Sequence, residues 1–91
     1  MGLSAHQEEI IAQLYREMYR KLVVYAENAL NDSLAEEAVQ DTFRIACSKY
    51  DELMNSSNPQ GWLMNTLKNV IRNIRKEQAN LNKYFVMTMA L

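Results

Sequence analysis

The sequence is short of the residues that interrupt helices and of those that staple small folds. Its 91 residues include two glycines, one proline and one cysteine. So few breakers exclude linker-like and turn-rich β architectures, while plentiful Leu, Ala, Glu, Asn, Lys and Arg favour helix. A lone Cys47 cannot close an internal disulfide, which suits a reduced, cytoplasmic setting, and beside Ala46 in a helical pattern it reads as a small packing residue. No apolar run approaches the ~20 residues that a membrane span needs, so no membrane insertion is expected. Residues 1–9 carry polar and acidic residues where a signal peptide needs a basic start and an apolar run. His6 is the one histidine and sits near the chain start, leaving Glu36, Glu37 and Asp41 without an imidazole partner. No metal or other cofactor is expected. With no Gly-rich phosphate loop and no Ser-His-Asp or Cys-His set, no enzyme is expected either.

What the sequence does contain is helical periodicity. Ile11, Leu14, Met18, Leu22, Tyr25 and Ala29 recur in steps of three and four, the stripe of an amphipathic helix over about residues 7–30. Tyr15 and Tyr19 should pack at its border. Asn31-Asp32-Ser33 breaks the pattern, and Ser33-Leu34-Ala35-Glu36 then reads as a capping box opening a second helix. The second stripe is Leu34 or Ala35, Ala38, Val39, Thr42, Phe43, Ala46 and Tyr50, with Leu53 at its edge. Asn55-Ser56-Ser57-Asn58 has no period and reads as a loop. Asn58-Pro59 is a helix-start signal, because Asn caps and Pro fits the first helical position, where no amide donor is needed. A third helix should run from Pro59 to about Leu81, with Leu63, Leu67, Val70, Ile71 and Ile74 on one side. Trp62 belongs beside that series as a core or staple residue, its exposed alternative being a stacking platform. The expected fold is all-α, a compact bundle of three main antiparallel helices in a single domain, residues 1–83. Residues 84–91 form an apolar tail or the start of an interdomain linker.

Charge is divided along the chain although the net charge is only −1. From residue 27 to 52 the acids Glu27, Asp32, Glu36, Glu37, Asp41, Asp51 and Glu52 outweigh Arg44 and Lys49, whereas from 62 to 83 Lys68, Arg72, Arg75, Lys76 and Lys83 face only Glu77. This asymmetry predicts two surfaces with different partners. Glu37, Gln40, Asp41 and Arg44 share one side of the second helix, suited to a basic partner helix or to plain solvation. On the third helix Lys68, Arg72, Arg75 and Lys76, with Asn65 and Asn69, lie opposite the apolar stripe. Cations neutralise phosphates and amides read base edges, so the mixture suits unpaired nucleic acid, the plain alternative again being a solvated face.

Taken in order, these segments resemble region 2 of a bacterial RNA polymerase sigma factor of the extracytoplasmic-function type. Leu14-Tyr15-Arg16-Glu17-Met18-Tyr19-Arg20-Lys21-Leu22 is similar to that family's opening helix, and Leu34-Ala35-Glu36-Glu37-Ala38-Val39-Gln40-Asp41-Thr42-Phe43 to its acid-Ala-Val-Gln-acid-Thr-Phe run. Asn58-Pro59-Gln60-Gly61-Trp62-Leu63, followed by Leu67-Lys68-Asn69-Val70-Ile71-Arg72-Asn73, resembles its Trp-Leu and basic-Asn helix. The resemblance implies a transcription initiation domain that binds core RNA polymerase, through the clamp coiled coil of the largest subunit, and recognises and melts the promoter minus-ten element. It implies polymerase contacts at Glu37, Gln40, Asp41 and Arg44. For DNA it implies a loop at residues 53–58 that captures a flipped base of the non-template strand, with Leu53, Asn55 and Asn58 named there. Asn65 and Asn69 would lie on the helix, and Lys68, Arg72, Arg75 and Lys76 would hold the backbone. An anti-sigma factor is a further implied partner. The helix-turn-helix domain that such factors carry is not in this sequence, and Leu53 stands where many relatives place an aromatic. The alternative expectation is a helical protein-interaction module without DNA binding, anti-sigma-bound or self-associating through residues 84–91. A small RNA-binding domain is a more distant one.

Overall fold

In the computed structural model, which describes residues 2–89, the chain forms four helices: α1 (Ala5–Ala29), α2 (Asp32–Ser48), α3 (Tyr50–Asn55) and α4 (Pro59–Met89). The three long helices pack on one another, each touching the other two, and the short α3 packs against α2 and α4. A two-residue connection turns α1 back into α2, so these neighbours run antiparallel. Contacts from Tyr25 to Lys68 and from Ala29 to Arg75 show that α1 and α4 run in the same direction. The all-α bundle expected from periodicity is therefore what forms.

Each helix start has a local chemical cause. Ser4 caps α1 in a reciprocal box: its Oγ accepts from the Gln7 amide at 3.2 Å, and Gln7 Oε1 accepts from the Ser4 amide at 3.0 Å. The second cap corrects the sequence reading. Asn31, and not Ser33, caps α2, its Oδ1 accepting from the Leu34 amide at 2.9 Å, so the Ser33–Glu36 box does not form. Asn is at least as good a cap as Ser, and starting at Asp32 adds a turn residue whose carboxylate suits the positive helix end.

The core is one cluster. Met18, Leu22 and Ala26 of α1 meet Ala35, Ala38, Val39, Phe43 and Ala46 of α2 and Leu63, Leu67, Val70 and Ile71 of α4. The alanines on α2 let it approach both neighbours closely. Thr42 is the one buried polar residue among those described, and its hydroxyl donates to the Ala38 carbonyl at 2.9 Å, so its burial leaves no unmet group. Leu22, Leu53, Leu63 and Leu67 are fully buried, each worth about 1.5–3 kcal/mol of transfer free energy.

Two departures shape the surface. The helix expected to run on through Tyr50 breaks at Lys49, whose φ of −113° and ψ of 39° end α2 and begin α3. Beyond the bend Leu53 is fully buried in the core. At the other end α4 continues to Met89 instead of stopping near Leu81. From Lys76 to Met87 every residue is exposed, so this half of the helix projects from the bundle. The molecule measures 56 × 28 × 21 Å, and its 15.8 Å radius of gyration exceeds the roughly 12 Å of a compact domain this long. The projection accounts for the excess.

Candidate functional site

The charged residues singled out by the sequence fall on separate, open surfaces. On α2, Glu37, Gln40 and Arg44 are exposed and Asp41 is half-buried, one turn apart along the outer side. Arg44 pairs with Asp41 through its Nη1, so part of this stripe's negative charge is compensated within the helix and Glu37 carries most of what remains. On α4, Lys68, Arg72, Arg75 and Lys76 are all exposed, and among the described residues none of them is in an ion pair. The two sets do not bury each other.

The amides and three of the cations of α4, expected on one front, line its two different flanks, which meet where Arg72 donates to Asn69. Toward α2 and α3 lies a groove of about 330 Å³ lined by Trp62, Asn65, Asn69 and Asn73, with Lys49 and Glu52 on its far wall. Steps of four place the three amides in a row, because four residues advance the helix by slightly more than one turn. Trp62 is half-buried, packing on the core as expected while part of its ring lines this groove. Thr66 fixes the local wall by donating to the Trp62 carbonyl at 2.8 Å. Lys49 and Glu52 are 4.0 Å apart, an exposed pair of little strength that a ligand's own charge can displace.

Toward α1 lies the cationic flank. The Lys68 ammonium sits 5.5 Å from the centre of the Tyr25 ring, Arg75 Nη2 donates to the Ala29 carbonyl at 3.1 Å, and Arg72 Nη1 donates to Asn69 Oδ1 at 3.2 Å. Lys68, Arg72 and Arg75 line one cleft of about 270 Å³ with Tyr25, Ala29 and Ile71.

Several expected site residues are placed differently. Leu53 is corrected: it is fully buried within α3, so it presents no surface to a base and serves the core. Asn58 is exposed, but its Oδ1 accepts from the Gly61 amide at 3.0 Å as the cap of α4, and its own amide donates to Ser56 Oγ at 3.1 Å. Asn55 ends α3 and is exposed beside the short connection 56–58. Cys47, read as a packing residue, is exposed. It stands one turn after Phe43, at the edge of the α1–α2 seam beside Leu3, Ile11 and Tyr15.

Asn73, Tyr25 and Ala29 were not singled out by the sequence. The four-residue repeat from Asn65 through Asn69 was a usable signal for Asn73. Tyr25 and Ala29 were read only as members of the first apolar stripe, and they join a site because α1 ends beside α4. Among the described residues no group of three or more His, Cys, Asp or Glu is gathered as a metal site, and no helix is long and apolar enough to cross a membrane. Comparison with protein families, with curated proteins and with solved structures finds no match to this chain.

Proposed function

We propose that this chain is a transcription initiation domain of the sigma-factor region 2 type, gripping core RNA polymerase through α2 and an unpaired promoter strand through α4. The observation that carries this reading is the division of α4: a row of amides beside a half-buried tryptophan on one flank, unneutralised cations on the other. An aromatic edge and side-chain amides offer a separated base both stacking and edge hydrogen bonds, which a paired base cannot take up. Cations a helix width away neutralise the phosphates that accompany it. Melting then follows from preference: flipping a base costs a few kcal/mol, and binding to the open strand offsets it without any covalent chemistry. The exposed stripe Glu37, Gln40, Asp41 and Arg44 supports a separate contact with a basic coiled coil.

The test is fluorescence anisotropy with labelled single-stranded and duplex oligonucleotides of equal length. Preference for the single strand is expected, with a log-log salt slope of roughly −3 for four phosphate contacts. Equal affinity for both forms, or affinity for neither, rejects the reading.

A second reading, a helical module that binds only protein, is favoured by the far end of α4. There Leu81, Phe85, Val86, Met87 and Met89 are 63–72% exposed. Sedimentation separates the two readings: association that depends on these residues, without affinity for single-stranded DNA, supports the second.

A further inference from the structure

The cleft between α1 and α4 has a property that the amide groove lacks. Its three cations, Lys68, Arg72 and Arg75, are each held by a neutral partner: the face of Tyr25, the Asn69 amide oxygen and the Ala29 carbonyl. Orientation is thereby supplied without a carboxylate. Three like charges on adjacent turns of one helix repel one another, and within the ~8 Å screening length of physiological salt that repulsion is relieved by a bound anion. The last carbonyls of α1 form the negative end of that helix and would oppose such an anion. Arg75 covers the Ala29 carbonyl, so the opposition is reduced at the point where the helix meets the cleft.

We propose that this cleft is a phosphate-binding site built jointly by α4 and the last turn of α1, with Tyr25 and Ala29 as its positioning residues. A planar carboxylate satisfies one guanidinium fork; a tetrahedral oxyanion carrying more than one charge engages all three cations together. The 270 Å³ cleft accommodates a phosphate or diphosphate group. The site deepens the promoter reading, in which these cations meet a strand's phosphates, yet it stands apart from it because it requires only the phosphate, whether that belongs to a strand's backbone or to a free phosphate compound.

Calorimetric titration of the full chain with inorganic pyrophosphate, and separately with a single-stranded oligonucleotide, tests the proposal and distinguishes the two sources. Arg72→Ala is expected to weaken binding of at least one probe by about tenfold or more. Lys83→Ala removes the same charge outside the cleft and should change either affinity less than about twofold. Tyr25→Leu keeps apolar bulk but not the ring, and should weaken binding by about two- to fivefold, with circular dichroism confirming an intact fold. Asn65→Ala, in the amide groove, should spare pyrophosphate. Saturable pyrophosphate binding that needs Arg72, without oligonucleotide binding, supports the cleft while rejecting the promoter reading. Dependence on Arg72 for the oligonucleotide alone supports it with the backbone as source. Loss of equal size in Arg72→Ala and Lys83→Ala, or no loss in Arg72→Ala with either probe, overturns the proposal.

Discussion

Arg75 reaches from the middle of α4 to the carbonyl of Ala29, 46 positions earlier in the chain, and closes the last turn of α1 at 3.1 Å. A helix leaves its final carbonyls without internal partners, and here a side chain from another helix supplies one of them. Arg75→Ala is expected to lower stability by about 1 kcal/mol, the usual net value of such a bond. Urea denaturation measures it, and an unchanged midpoint would show that water caps α1 equally well.

Leu53 should behave as a core residue and not as a base contact. Leu53→Ala removes a fully buried side chain and should cost about 2–5 kcal/mol, with the spread set by how far α3 collapses into the space. Conservative Leu53→Met should cost less than about 1.5 kcal/mol and leave oligonucleotide preference unchanged. A shift in base preference with Leu53→Met would restore it as a contact.

Asn58 and Gly61 should be energetically coupled. A Cβ placed on Gly61 would lie 2.5 Å from Asn58 Nδ2, so Gly61→Ala must displace the cap of α4. Losing an Asn cap costs about 1 kcal/mol, and Ala gains up to about the same over Gly by propensity. In the wild-type background the two effects roughly cancel. In Asn58→Ala only the gain remains, so Gly61→Ala should then stabilise, and a double-mutant cycle giving no coupling would contradict this geometry.

Asp41→Lys should separate fold from partner binding. Asp41 and Arg44 form an exposed pair, and such pairs are worth at most about 1 kcal/mol, so thermal unfolding should change little. Binding to a purified clamp coiled coil should be lost, because the substitution reverses a charge in the centre of the α2 stripe. Retained affinity would remove α2 as the docking surface.

Alkaline stability should depend on Tyr15. Burial raises its phenol above the ordinary value, and Tyr19 and Glu36 add to the rise. The folded chain therefore holds the proton longer than the unfolded chain does. Stability from this group is full below the unfolded value of about 10 and declines as pH climbs from there through the folded value. Tyr15→Phe should flatten that decline in denaturation series across the alkaline range; an unaltered slope would assign it elsewhere.

The sequence was most informative where its signals are local. Steps of three and four apolar residues located α1, α2 and the buried half of α4, and Asn58-Pro59 located the start of α4, because each depends on residues within one or two turns. It was less informative where two local solutions compete. Asn31 and Ser33 are both competent caps, and the choice between them shifts α2 by a turn's fraction. The break at Lys49 carries no glycine or proline to announce it. Leu53 is buried beyond it, but that burial is consistent with the apolar period and does not by itself mark the break.

What the sequence by itself determined is the helical class, the core stripes and the segregation of acidic from basic residues, since composition and period act before any long-range contact forms. Only the tertiary structure decided what the basic helix presents. Helix α4 packs against α2 and α3 on one flank and α1 on the other, and that placement divides an apparently single front into an amide groove and a cationic cleft. Tyr25 and Ala29 join the cleft through the same packing. Such partnerships arise from how helices lie against one another, and residues 46 positions apart carry no mutual mark in the order of the chain.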